Sequence, residues 1–235
     1  MHKSGTASLA DKGKEFSVNL FEIRLECGII FVKYATKTER THSVRRKEGK
    51  TDMKYASNNI RNILIAGHAG SGKTTLTEAL VYFSGAAERM GRVEDGTTIS
   101  DFDPEEAKRK ASLSASVVPV EYEGIKYNLI DAPGLFDFEA GEYEGIRAAE
   151  SVLVVVSGRS GVTVGAEKAF QLARKNGKAT MVFVSKCDLE NANYFKILED
   201  MKIKFGSTVC PCVVPAKLDD GTPVYINLFS QKAFK

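Results

Sequence analysis

The eight residues Gly67-His68-Ala69-Gly70-Ser71-Gly72-Lys73-Thr74 constrain this chain more than any other feature. They fit the pattern G-x-x-x-x-G-K-[ST], and they sit in the surroundings that give it physical meaning. Ile60 to Ala66 ahead of them is an apolar run that reads as a buried parallel strand. Thr74 to Tyr82 after them carries apolar residues at helical spacing. Between strand and helix, glycines let backbone N–H groups curl around phosphate oxygens, and the helix N-terminus adds its positive end. Gly67, His68, Ala69, Gly70, Ser71, Gly72, Lys73, Thr74 and Thr75 are therefore the candidate phosphate-binding residues. In such a loop the lysine reaches the β- and γ-phosphates and the Thr74 hydroxyl ligates Mg²⁺. His68 reads as a backbone anchor of the loop, since no second histidine accompanies it.

Two later motifs extend the site. Asp131-Ala132-Pro133-Gly134 follows the apolar strand Ile125–Ile130. A carboxylate at that point can hold the Mg²⁺ shell through water, and Gly134 permits close backbone approach to a γ-phosphate. Ser185-Lys186-Cys187-Asp188 ends the strand Ala179–Val184. The Asp188 carboxylate can accept hydrogen bonds from the N1 and N2 donors of guanine, which adenine lacks there, while the Lys186 stem lies over the base.

Elsewhere the pattern alternates. Val117–Tyr122 and Ile125–Ile130 read as strands joined at Glu123-Gly124, and Ser151–Ser157 and Ala179–Ser185 as two more buried strands. An amphipathic helix over Val164–Asn176 ends at Gly177, and a second over Asn191–Phe205 ends at Gly206. This alternation predicts an α/β fold with a mostly parallel sheet and right-handed crossovers. Residues 1–52 carry 11 Lys and Arg against 7 Asp and Glu, with no sustained period, so the basic balance of the whole chain lies there. That segment reads as a non-native or disordered leader, with a natural start at Met53. The remainder is close to neutral, which argues against direct sequence-specific nucleic-acid binding by charge. Phe16 to Tyr34 is the nearest approach to a membrane span, and Glu22, Arg24, Glu26 and Lys33 interrupt it. Four scattered cysteines read as reduced thiols, and the chain as cytoplasmic.

In their order and surroundings these motifs resemble elongation factor G, a translational GTPase, over about Asn58 to Lys235. Gly91-Arg92-Val93-Glu94-Asp95-Gly96-Thr97-Thr98 and Ser100-Asp101-Phe102 resemble the lead-in to that family's switch I. Asp131–Gly134 with Phe138 resembles its switch II, and Asn191-Ala192-Asn193-Tyr194-Phe195 the helix after its guanine motif. The resemblance implies a GTPase-type P-loop domain over residues 53–208, with residues 209–235 the start of an inserted β-rich subdomain. It implies GTP and GDP as ligands, Mg²⁺ as cofactor, the ribosome as partner of the intact protein, and GTP hydrolysis coupled to translocation. Lys73 and Gly134 become the catalytic candidates. Thr74, Ser112 and Asp131 become the metal candidates, Ser112 standing in Arg109-Lys110-Ala111-Ser112 where the family has Arg-Gly-Ile-Thr. Asp131, Gly134, Ser185, Lys186 and Asp188 complete the nucleotide set.

Three departures mark this chain. Leu135 replaces the histidine of the family's Pro-Gly-His, and leucine cannot shuttle a proton, so slow hydrolysis is expected. Gly70 replaces an aspartate and Ser185 an asparagine. The sequence also ends before the last guanine-contacting motif, which predicts an incomplete sheet with an open edge prone to aggregation. A nucleotide-binding switch with little hydrolysis, and a ribosome-protection factor, are the competing readings. An ATP-using P-loop enzyme is a further one, and Asp188 argues against it.

Overall fold

A strand buried on both faces carries apolar residues on both, and three segments here do so over their buried stretches. In Ile60–Ala66, Leu64 and Ala66 join one buried cluster while Ile65 joins another. Val152, Val154 and Val156 of Ser151–Ser157 face the first cluster, and Leu153 and Val155 the second. Val182 and Val184 of Ala179–Ser185 alternate with Phe183 in the same way. The computed structural model describes residues 28–32, 55–189, 192–218 and 221–234, the side chains of 28–32 and of Pro223 excepted.

The strands are β1 (Gly28–Val32), β2 (Ile60–Ala66), β3 (Ser116–Tyr122), β4 (Ile125–Asp131), β5 (Ser151–Ser157), β6 (Ala179–Ser185) and β7 (Val209–Pro211). They form one sheet in the order β3-β4-β2-β5-β6-β1-β7. Strands β4, β2, β5 and β6 are mutually parallel, β3 pairs antiparallel with β4, and β1 pairs antiparallel with both β6 and β7. The fold is thus α/β with a mostly parallel sheet, as the alternation of elements predicts. Because β2, β4, β5 and β6 point the same way, the loops after Ala66, Asp131, Ser157 and Ser185 share one edge, where ligands of such sheets bind.

The sequence predicts an incomplete sheet with an open edge; in the structure the edge of β6 is paired by β1, with Ile30 opposite Val182 on one side and Pro211 on the other. Five residues in basic, non-periodic sequence carry too short a pattern to be recognised as a strand, which is why residues 1–52 read as a leader. The rest of that segment lies outside the described residues. Among the described residues no helix is long and apolar enough to cross a membrane.

Helix α1 (Lys73–Phe83) covers one face of the sheet through Leu76, Leu80 and Val81. Helices α3 (Ala140–Ala148), α4 (Val164–Lys175) and α5 (Tyr194–Phe205) cover the other, with Phe170 and Phe205 stacked 4.2 Å apart between α4 and α5. Helix α5 begins three residues later than its periodicity predicts, because the Asn193 side chain caps it by accepting from the Lys196 N–H at 3.0 Å. A separate antiparallel sheet of β8 (Val213–Lys217), β9 (Pro223–Asn227) and β10 (Lys232–Phe234) follows, the small β element expected at this end. Asp219 and Asp220 of its expected turn lie outside the described residues.

The long segment between α1 and β3 is held by two buried carboxylates. Glu78 of α1 is 1% exposed and accepts from the Gly91 N–H at 3.0 Å and the Ile99 N–H at 2.5 Å. Glu106, in the short helix α2 (Pro104–Arg109), accepts from the N–H groups of Leu113 at 2.8 Å and Ser114 at 3.1 Å. Asp103 caps α2 in a reciprocal capping box with Glu106. Glu78→Gln keeps the shape but turns one acceptor into a donor facing an N–H. A loss of about 1–3 kcal/mol in chemical-denaturation stability is expected.

Candidate functional site

The phosphate loop leaves β2 at Ala66 and enters α1 at Lys73. Its turn needs left-handed backbone at Gly70 (φ +70°) and Gly72 (φ +95°). Gly72, as N-cap of α1, has no side chain to cap with, so the helix offers its first N–H groups to an anion. The Lys73 side chain folds back over the loop and donates to the carbonyls of Gly67 at 3.1 Å and His68 at 3.0 Å. Lys73 is only 6% exposed. Burial lowers its pKa, opposed by the attraction of Asp131, Glu142 and Asp101. The His68 carbonyl also accepts from the Ser71 N–H at 3.2 Å, in keeping with a backbone-anchoring role. Gly134 lies against this assembly: a Cβ there would run into Lys73 Nζ and sit 2.7 Å from the Ala69 nitrogen. Thr75, by contrast, points outward and is exposed.

The residues expected to hold a metal converge beside Lys73. Thr74 Oγ1 donates to Asp131 Oδ2 at 2.8 Å, and Ser112 Oγ donates to Asp101 Oδ1 at 2.7 Å. The two hydroxyl oxygens lie 3.3 Å apart. That is within hydrogen-bond distance, either hydroxyl being able to donate, and each oxygen keeps a lone pair to offer a cation. Asp131 Oδ1 is buried without a hydrogen-bond partner. Burial pushes the Asp131 carboxyl up to about 6 despite the nearby Lys73 ammonium and the Thr74 hydrogen bond. Converging oxygen acceptors, a desolvated carboxylate and a phosphate cradle alongside suit a hard divalent cation shared with a phosphate, as Mg²⁺ prefers.

At the other end of the site, Ser185 Oγ donates to the Ser71 carbonyl at 2.6 Å, and Lys186 Nζ donates to the Gly70 carbonyl at 2.8 Å. The shorter serine therefore still links this loop to the phosphate loop. Lys186 takes a left-handed φ of +55° to make the turn, and Asp188 beyond it is exposed.

Two site residues, Asp101 and Glu142, carry little signal in the sequence. Asp101 stands out there only as part of a family-like lead-in, yet it is 6% exposed, holds Ser112, and is shifted upward in pKa chiefly by burial. Glu142 lies on α3, whose small and charged residues give no apolar period. Its only visible signal is a carboxylate eight positions after the Asp131-to-Gly134 motif.

Residues 58–231 match the elongation factor Tu GTP binding domain. The chain belongs to that family of translational GTPases. It is 36% identical over 176 residues to an elongation factor G-like protein of Mycobacterium tuberculosis, covering 75% of this chain and 24% of that protein. It is 32% identical over 183 residues to elongation factor G of Chlamydia caviae, covering 78% and 26%. A mitochondrial ribosome-releasing factor 2 of Drosophila ananassae is 31% identical over 183 residues, covering 78% and 25%. A crystal structure of a Thermus thermophilus protein superposes with a TM-score of 0.69 at 40% identity, over 75% of this chain and 26% of the other. The chain thus spans about a quarter of the length of these relatives.

Proposed function

We propose that this chain binds GTP and GDP together with Mg²⁺ and hydrolyses GTP, as the nucleotide switch of an elongation factor G-type factor acting on cytoplasmic ribosomes. The observation that carries the reading is the convergence of Lys73, Thr74, Ser112, Asp131 and Gly134 on one face of the phosphate loop. In this reading Lys73 exchanges its two carbonyl acceptors for β- and γ-phosphate oxygens and stabilises the charge that develops on them. Thr74, Ser112 and Asp131 would hold the cation between them. When bound, Mg²⁺ neutralises phosphate charge. Asp188 reads the guanine edge. The Gly134 N–H and Ser112 report the γ-phosphate, and its loss frees both segments. Coupling to translocation would fall to the further domains that elongation factor G-type proteins carry.

Titration with a fluorescent GTP analogue in Mg²⁺, competed by GDP and by ATP, tests the site. Displacement by GDP and not by ATP is expected, and equal displacement by ATP would remove the guanine assignment. Leu135, 39% exposed and without proton chemistry, favours a second reading, a switch that binds nucleotide and barely hydrolyses it. Tight binding with no phosphate release would decide for that alternative.

A further inference from the structure

A water that attacks the γ-phosphate must be oriented and must lose a proton, and Leu135 can do neither. Another group faces the same space. A cavity of about 280 Å³ opens beside the phosphate loop, lined by Gly67, Gly134, Leu135, Glu142 and Lys168 among others. It is roomy enough for several waters at roughly 30 Å³ each. Glu142, in the first turn of α3, presents its carboxylate there, and its Oε1 is buried with no hydrogen-bond partner. A buried carboxylate oxygen without a partner calls for a donor, and a cavity of this size admits water. Lys73 attracts this carboxylate across the site. The other charged groups that act on it are Lys168 of α4, which also attracts it, and Glu139 ahead of α3, which repels it. Lys73 lies against Gly134, so the one ammonium touches the γ-phosphate-sensing glycine and attracts the Glu142 carboxylate.

We propose that Glu142 supplies the water-positioning and proton-accepting function that Leu135 lacks. The assignment rests on the GTPase reading above. The Glu142 carboxylate accepts a hydrogen bond from the attacking water. As the water oxygen bonds to the γ-phosphorus, its proton passes to the carboxylate. The bond from that phosphorus to the β,γ-bridging oxygen breaks, and its electron pair leaves on the β-phosphate of GDP. The carboxylic acid then returns the proton to solvent. Burial, reinforced by Glu139 and opposed by Lys73 and Lys168, pushes the Glu142 carboxyl up to about 7, close to the range in which a general base works best.

The test compares the full chain with Glu142→Gln, measuring GTP affinity and single-turnover phosphate release over a pH series. In the wild type, release rises with pH as the carboxyl loses its proton, then levels. In Glu142→Gln, release falls by on the order of 100-fold and the rise disappears, while GTP affinity stays within about threefold. The affinity arm separates a base from a counter-charge that only steadies Lys73, because loss of the latter weakens binding. Wild-type release by Glu142→Gln, a slower rate that keeps the pH rise, or a wild type that binds GTP and releases no phosphate each overturns the assignment while leaving the nucleotide site standing. Absence of GTP binding by the wild type overturns both.

Discussion

Lys73→Met is expected to weaken GTP binding by on the order of 100-fold or more, while the nucleotide-free chain melts within a few degrees of the wild type. The two halves of this expectation come from the same burial. Lys73 holds its charge in a largely dry place, with two loop carbonyls as partners and three carboxylates at longer range. Removing this charge relieves its own desolvation cost as it gives up the attraction, and Asp131, already pushed up to about 6, can take a proton rather than stay buried as an uncompensated charge, so the net effect on folding is small. With triphosphate present the balance differs, because the ammonium then faces full negative charge in a water-poor site. Truncating one partner of a buried charge pair costs about 2–5 kcal/mol, and about 3 kcal/mol is more than a hundredfold. Isothermal titration and a thermal melt on the same preparations measure both quantities. Comparable losses in the two would mean that Lys73 is a folding residue first.

Gly67→Ala is expected to lose about 3–5 kcal/mol of folding stability and, with it, nucleotide binding. Two independent costs add. The backbone at Gly67 has φ +139°, a region closed to residues with a Cβ. A Cβ there would also lie 2.5 Å from the Val155 carbonyl oxygen and 3.3 Å from its nitrogen, both backbone atoms of a central strand that cannot swing aside. The loop must either leave the sheet or push β5 away from it. Urea unfolding gives the stability change, and a loss under about 1 kcal/mol would mean the loop relaxes cheaply. Gly70→Ala is the informative contrast, because its Cβ would meet nothing within 4 Å.

The parts of this architecture that are plain in the sequence are those with a period or a fixed chemistry. Strands β2, β5 and β6 carry mainly apolar runs of seven residues bounded by glycine or polar residues, and their limits agree with the structure. Thr74, Ser112 and Asp131 do meet, since motif order on a parallel sheet delivers the loops to one edge. What escapes the sequence has equally physical causes. Helix α3 packs through small residues, Gly141 and Gly145 among them, so it shows no apolar stripe. Helix α2 has six residues and hides its buried side in a glutamate. Glu78, Glu106, Asp101 and Glu142 all carry charge, and charge on a helix or loop reads as a solvated face until the partners that bury it are known. Of these, Glu106 has the clearest local signal, the Asp103-to-Glu106 capping pattern after Ser100-Asp101-Phe102.

The two bonds from the end of β6 to the phosphate loop make the site a calliper of set width. Ser185 and Lys186 each grip a carbonyl of that loop, at Ser71 and Gly70, which ties the jaw proposed to hold phosphates to the jaw beside Asp188. A ligand is then measured from end to end before any single contact is judged. One whose ring and terminal phosphates are spaced differently must forgo one jaw or spring both. On that account, loosening Ser185 would blur the length that the site accepts more than the charge that it prefers.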